Sequence, residues 1–195
     1  NAKKIISIMS EYECVQEFIV WHCNPDTSFE YNHPKVTVIN EPSANDVYGL
    51  ATRFKGCGRA RNEVVMTVDD DMLPPESTVN KLIRAKAQDY NRMYSTHGRN
   101  MGKDCSYNIK QPNDGPAEVV LTKVLLTDRR FCNAFFDYSD LVEDIAREGK
   151  PYWNGEDIFL SRVSYKVSGK LPVKLTLPYD KLDQRGEGIS QHHLT

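Results

Sequence analysis

Three carboxylates stand side by side in Val64-Val65-Met66-Thr67-Val68-Asp69-Asp70-Asp71-Met72, at the end of a run suited to burial. Adjacent carboxylates repel, and each loses hydration when partly covered. Such a cluster calls for a cation, and a metal ion is the leading candidate. Side chains alternate along a strand, so Asp69 and Asp71 are expected to point the same way. Two hard oxygen ligands with open positions suit Mn²⁺ or Mg²⁺ shared with a diphosphate. The plainer alternative is a solvated acidic turn. The segment is a poor fit to a calcium-binding EF-hand loop. Counting from Asp69, Pro74 stands where Gly is needed and Asn80 where Glu is needed.

A second acidic pair, Glu156-Asp157, follows Gly155 and precedes an apolar helical pattern. The helix macrodipole alone favours acids in a first turn, so the pair has a structural reading beside a catalytic one. Arg53 reads either as the partner of a surface acid or as a phosphate contact. His192 and His193 are candidate metal ligands, with a loose tail as the plainer reading. Tyr152 and Trp153 suit either sugar stacking or packing. The segment Gly98-Arg99-Asn100-Met101-Gly102-Lys103 is a glycine-rich loop without a phosphate-binding spacing.

The elements that must position these residues follow from short apolar runs. Strands are expected at 4–9 (KIISIM), 17–22 (EFIVWH), 35–39 (KVTVI) and 63–68, in a buried, mainly parallel sheet. Pro74-Pro75-Glu76 opens a helix whose apolar stripe is Val79, Leu82 and Ile83. Further strands are expected at 92–96, 118–126 and 171–177, a turn at Asn113-Asp114-Gly115-Pro116, and helices at 139–148 and 158–167. Only residues 10–16 separate the first two expected strands, whereas a parallel crossover takes a dozen or more. A loop and helix missing from that interval is the favoured explanation.

The chain has 195 residues, 39% hydrophobic and 27% charged, as expected of one α/β domain. Its formal charge of −2 provides no bulk attraction to nucleic acid or an anionic membrane. No apolar run approaches the roughly 20 residues of a membrane span. The first residue is not Met, so the chain is read as trimmed or as part of a longer multidomain protein. The five cysteines form no CxxC pair and are read as reduced, buried thiols, which points to the cytoplasm, with a lumenal or host-cell location as the alternative for a fragment of a longer chain.

A buried strand ending in Asp-x-Asp resembles the metal motif of GT-A glycosyltransferases. The closer resemblance is to the exostosin-like family of heparan-type N-acetylhexosaminyltransferases, with a strand ending in VDDD. Its I-V-W-N-N signature looks like Ile19-Val20-Trp21-His22-Cys23-Asn24. Its basic segment looks like Thr52-Arg53-Phe54, and its C/E-D-D-I-A motif like Asn154-Gly155-Glu156-Asp157-Ile158. The order and spacing agree from about residue 4 to residue 178. The domain also looks like one in large chlorella-virus glycosyltransferases. The resemblance implies a GT-A fold, with a nucleotide-binding part at about 1–75 and an acceptor part at about 76–195. It implies that Asp71 binds the metal. Asp69 assists or contacts the ribose, and Asp70 contacts the nucleotide or sugar. Arg53 approaches the nucleotide, while Asn24, Ser10 and Tyr12 line the base pocket. Asp157 lies on the far side of the sugar beside Glu156. His22-Cys23 departs from the family pattern at the base contact.

The expectation is thus a metal-dependent, retaining glycosyltransferase taking a UDP-sugar to a glycan or glycoprotein acceptor. Two alternatives stand beside it. One is a phosphohydrolase of the haloacid-dehalogenase type, which wants Thr or Val where Leu73 stands. The other is a nucleotide-sugar-binding module without turnover.

Overall fold

The computed structural model describes residues 1–104, 106, 108, 110, 112–138 and 155–182. The helix expected at 139–148 lies outside them, as do Tyr152, Trp153, Asn154, His192 and His193.

The chain opens with a helix where a strand is expected. α1 spans Ala2–Met9. Ile5, Ile6 and Met9 are buried on one face, while Lys3 and Lys4 stay exposed. A short apolar run fits either period, and here the helical one prevails. This correction removes the spacing difficulty. Residues 10–17 join a helix to β1, Phe18–His22, as an ordinary connection, and no missing segment is required there.

β1 pairs in parallel with β2, Val36–Asn40, from Phe18↔Val36 to His22↔Asn40. α2 (Ala44–Tyr48) and a 3-10 turn (Gly49–Ala51) lead into α3, Thr52–Arg59. β3, Val64–Val68, is the strand before the carboxylates, and β4, Met72–Leu73, follows them. α4, Glu76–Gln88, buries the expected Val79 and Leu82. Short strands follow: β5 (Tyr94–Ser95), β6 (Gly98–Arg99), β7 (Gly115–Pro116) and β8 (Val119–Val120). β9 is Val124–Asp128, α5 Arg129–Asp137, α6 Glu156–Ser168, β10 Val173–Lys174 and β11 Asp180–Lys181.

The fold is mixed α/β, but the sheet is not mainly parallel. Its largest sheet has the order β3-β9-β5-β10-β7, and only β5 and β10 run parallel in it. β3 and β9 pair antiparallel from Val64↔Asp128 to Val68↔Val124. A strand buried on both faces shows an unbroken apolar run whichever way its neighbour points, so direction is not written in composition. The expected strand at 118–126 also divides. Leu121, Thr122 and Lys123 turn between β8 and β9, and that turn faces the site.

The main core lies where α3, α5 and α6 pack together. Phe54, Phe131, Phe135 and Phe159 are all buried there. Phe54 and Phe135 meet at 4.8 Å between ring centroids, and Phe135 and Phe159 at 4.9 Å. A disulfide, Cys57–Cys132, crosses the same interface and joins positions separated by 75 residues. The expectation of uniformly reduced thiols is therefore corrected. Cys14 and Cys23 are the free cysteines among the described residues. Pairing of distant cysteines is a property of the folded chain that spacing alone does not reveal. Among the described residues, no helix is long and apolar enough to cross a membrane.

Candidate functional site

Arg53 is aimed by a helix with little freedom. Its neighbour Phe54 is fully buried, and Cys57 one turn on carries the disulfide. At the start of α3 the Thr52 hydroxyl donates to Gly49 O at 2.9 Å, with Ala44 O at 3.2 Å as the alternative acceptor for its single proton. Arg53 Nε donates to Leu50 O at 3.1 Å, and its Nη1 to Asp69 Oδ1 at 2.7 Å and Thr122 Oγ1 at 2.9 Å.

The three carboxylates do not continue the strand. β3 ends at Val68, and Met72 N donates to Asp69 O at 3.0 Å, closing a turn. The expected same-face alternation of Asp69 and Asp71 is thus replaced by turn geometry. Asp69 N donates to Lys123 O at 2.9 Å, which ties the turn to the β8–β9 connection. From the other side, β11 pairs with β4, and Leu182 N donates to Asp71 O at 2.7 Å. Backbone is held on both flanks. Among the described residues, the side chains of Asp70 and Asp71 make no hydrogen bond or ion pair.

The second acidic pair reaches the same place from α6. Gly155 has a φ of 91°, a left-handed conformation that glycine adopts without a Cβ clash, and it redirects the chain into the helix. Burial of Phe159, Leu160 and Val163 anchors the helix. Ser161 Oγ accepts from Val120 N at 3.1 Å, which locks α6 to β8. Glu156 is consequently buried at 6% exposure, and its Oε1 accepts from Thr122 Oγ1 at 3.3 Å. Burial pushes the Glu156 carboxyl up, the Arg53 charge opposes that, and the neighbouring Asp157 adds to it. Asp157 Oδ1 accepts from Ile158 N at 2.8 Å, as first-turn acids do.

These groups line one cleft of about 1780 Å³ that also runs along β1, β3 and α1. Of the residues expected at a site, Arg53, Asp69, Asp70, Asp71, Glu156 and Asp157 line it, and Ser10, Tyr12 and Asn24 do not. Ser10 is buried, with its hydroxyl on Ser7 O at 3.1 Å. Tyr12 donates to Pro74 O at 3.2 Å, behind the acidic turn. Asn24 is exposed and accepts from Asp26 N at 2.8 Å within its own loop. Conversely, Thr122, Lys123 and Lys181 line the cleft although sequence reasoning passed them by. The one available signal was the polar pair Thr122-Lys123 inside an otherwise apolar run.

The donor set decides what the site could hold. No three His, Cys, Asp or Glu residues among the described ones converge as a protein-only cage. Asp69 already holds Arg53. Hard dications bound to nucleotides, however, use one or two carboxylates, waters and the phosphates themselves. The unengaged carboxylates of Asp70 and Asp71 on the cleft fit that mode.

Comparison with protein families gives one match. A family model described as the glycosyl transferase family 64 domain matches residues 1–193. A comparison with curated proteins gives no match.

Proposed function

The chain belongs to glycosyl transferase family 64, and from that premise we propose that it moves a sugar from a UDP-sugar to a hydroxyl of a glycan or glycoprotein, with retention. The observation that carries the proposal is the meeting of two acidic centres at one end of a cleft. Asp69–Asp71 arrive from β3 and Glu156-Asp157 from α6, with Arg53 and Thr122 between them. The exostosin-like resemblance of Ile19–Asn24 and of the Glu156-Asp157 motif supports the same reading. Family membership displaces the phosphohydrolase alternative.

In the reaction, the bond from the anomeric carbon to the diphosphate oxygen breaks and its electron pair leaves on the UDP. The acceptor oxygen bonds the anomeric carbon on the face the diphosphate leaves, which retains configuration, and its proton passes to the departing UDP. Asp71, with Asp69 and Asp70 beside it, would hold Mn²⁺ or Mg²⁺. When bound, the ion neutralises charge on the departing diphosphate. Arg53 offers a fixed positive charge on that side, pre-oriented by Asp69 and Leu50. Asp157 and Glu156 stabilise positive charge developing at the anomeric carbon and orient a donor or acceptor hydroxyl. Lys123 and Lys181, on the rim of the same cleft, add positive charge for an anionic ligand.

Residues 1–75 form the nucleotide-binding part in this reading and residues 76–195 the acceptor part. The buried disulfide supports an oxidising compartment in place of the expected cytoplasm. The test is incubation with a panel of UDP-sugars and Mn²⁺, with UDP release as the readout. Release from at least one donor, stimulated by an acceptor glycan, is expected. A folded protein that binds UDP but releases none from any donor is a binding module, and the enzymatic reading fails.

A further inference from the structure

We propose that Thr122 is a positioning residue that couples Arg53 to Glu156, holding the sugar-side carboxylate in register with the diphosphate-side guanidinium. The inference rests on the donor reading given above.

A threonine hydroxyl has one proton and two lone pairs, whereas a guanidinium only donates. At 2.9 Å from Arg53 Nη1, Thr122 Oγ1 must therefore be the acceptor. Its own proton is left for Glu156 Oε1 at 3.3 Å. The direction of both bonds is thus set, and a single oxygen atom touches both sides of the site. The oxygen is well fixed. Thr122 is 5% exposed, its carbonyl accepts from Thr67 Oγ1 at 2.8 Å, and the next carbonyl accepts from Asp69 N. β-Branching limits the side chain to few rotamers.

The two partners depend on this hydroxyl unequally. Arg53 keeps Asp69 and Leu50 O when Thr122 is lost. Glu156 loses a donor in a buried setting, where an unsatisfied carboxylate is costly and turns toward any other partner. Removing the hydroxyl should therefore spare donor binding and impair the step in which Glu156 faces the sugar.

The experiment compares Thr122→Val, which keeps shape and loses the hydroxyl, with Thr122→Ser, which keeps the hydroxyl. In Thr122→Val, kcat for UDP release is expected to fall by about 10- to 100-fold, the range for a bond to a charged group. KM for the donor should change little, and the melting temperature should fall by only about 2–4 °C, a shift that leaves the protein folded under assay conditions. Thr122→Ser should recover most of kcat. Unchanged kcat in the valine variant overturns the proposal, as does an equal fall in both variants. A fall in kcat that tracks melting temperature assigns a packing role instead and also overturns it. If the wild type releases no UDP from any donor, the donor reading fails separately. The coupling is then read from denaturant midpoints of Thr122→Val, Glu156→Ala and the double variant. Shifts that add overturn the coupling, and a double shift smaller than the sum upholds it.

Discussion

Arg53 Nη1 lies 2.7 Å from Asp69 Oδ1, joining a disulfide-anchored helix to the turn that carries the three carboxylates. Both side chains are about one-quarter exposed, at 27% and 24%, so solvent screens the pair and its share of stability is small, about 1 kcal/mol or less. Its value lies in orientation. Arg53→Ala is expected to weaken UDP binding by about tenfold or more, the scale of one charge-assisted hydrogen bond, with a modest change in melting temperature. Calorimetry with UDP and Mn²⁺ reads the first effect and thermal unfolding the second. Unchanged affinity would remove Arg53 from the nucleotide side.

Asp71→Asn should abolish most turnover and leave the fold intact. Asn keeps the size of Asp but weakens a site for a hard cation. The backbone carbonyl that receives Leu182 N remains in place. UDP binding to the wild type should also weaken sharply in excess chelator, because diphosphate and three neighbouring aspartates otherwise share one space. Equally tight binding with and without chelator would count against a metal bridge.

Asp157→Ala should separate two measurements that a metal ligand would move together. UDP affinity with Mn²⁺ is expected to hold, while sugar transfer falls. A purely helix-capping acid would cost only about 0.3–1 kcal/mol of stability and spare turnover. Lost UDP affinity would instead move Asp157 into the metal shell.

His97 makes stability depend on pH. Its Nε2 meets Tyr179 OH at 3.0 Å and its Nδ1 meets Thr96 Oγ1 at 2.8 Å in a buried setting. Burial lowers its pKa to about 4, with the positive charges of Lys123 and Arg99 assisting. The unfolded chain binds this proton near pH 6.5. Between those values the unfolded state holds more protons, so stability is full above about pH 6.5 and declines as pH falls toward 4. Denaturant unfolding across that window should show a steeper decline for wild type than for His97→Phe. Parallel curves would show that His97 contributes no linkage.

Replacing Cys57 and Cys132 together by serine should lower stability by about 4 kcal/mol on the loop-entropy estimate for a closure of this length. Urea midpoints of the double variant and the oxidised wild type test it. Equal midpoints would mean that packing of Phe54, Phe131 and Phe135 already supplies the constraint.

Much of the candidate site, the acidic groups that line the cleft, was legible in the sequence because charge at the end of a buried run is locally conspicuous. Asp69–Asp71 and Glu156-Asp157 announce themselves that way, and β1, β2, β3 and α4 follow from apolar periodicity. α1 was misread because Ile5, Ile6, Ile8 and Met9 crowd too few residues to distinguish a period of two from 3.6. Thr122 was missed because its role comes from two long-range partners, at positions 53 and 156, and a lone threonine in an apolar run signals neither. The direction of β9 and the Cys57–Cys132 bond are likewise products of tertiary approach. Tyr12 reaches Pro74, on the far side of the acidic turn from the cleft, and Ser10 turns back onto Ser7 of its own helix, placements that linear order does not carry.

The pairing of β11 with β4 sets an order of events on the ribosome. Residues 64–73 emerge long before Asp180, Lys181 and Leu182, whose backbone closes one flank of the acidic turn. A nascent chain thus displays its cluster of aspartates for more than 100 residues of synthesis with that flank open, about 5–20 seconds at ordinary elongation rates. That flank of the acidic turn is closed late, after nearly all of the described chain has been made, and translation pauses upstream of Asp180 would prolong the open state.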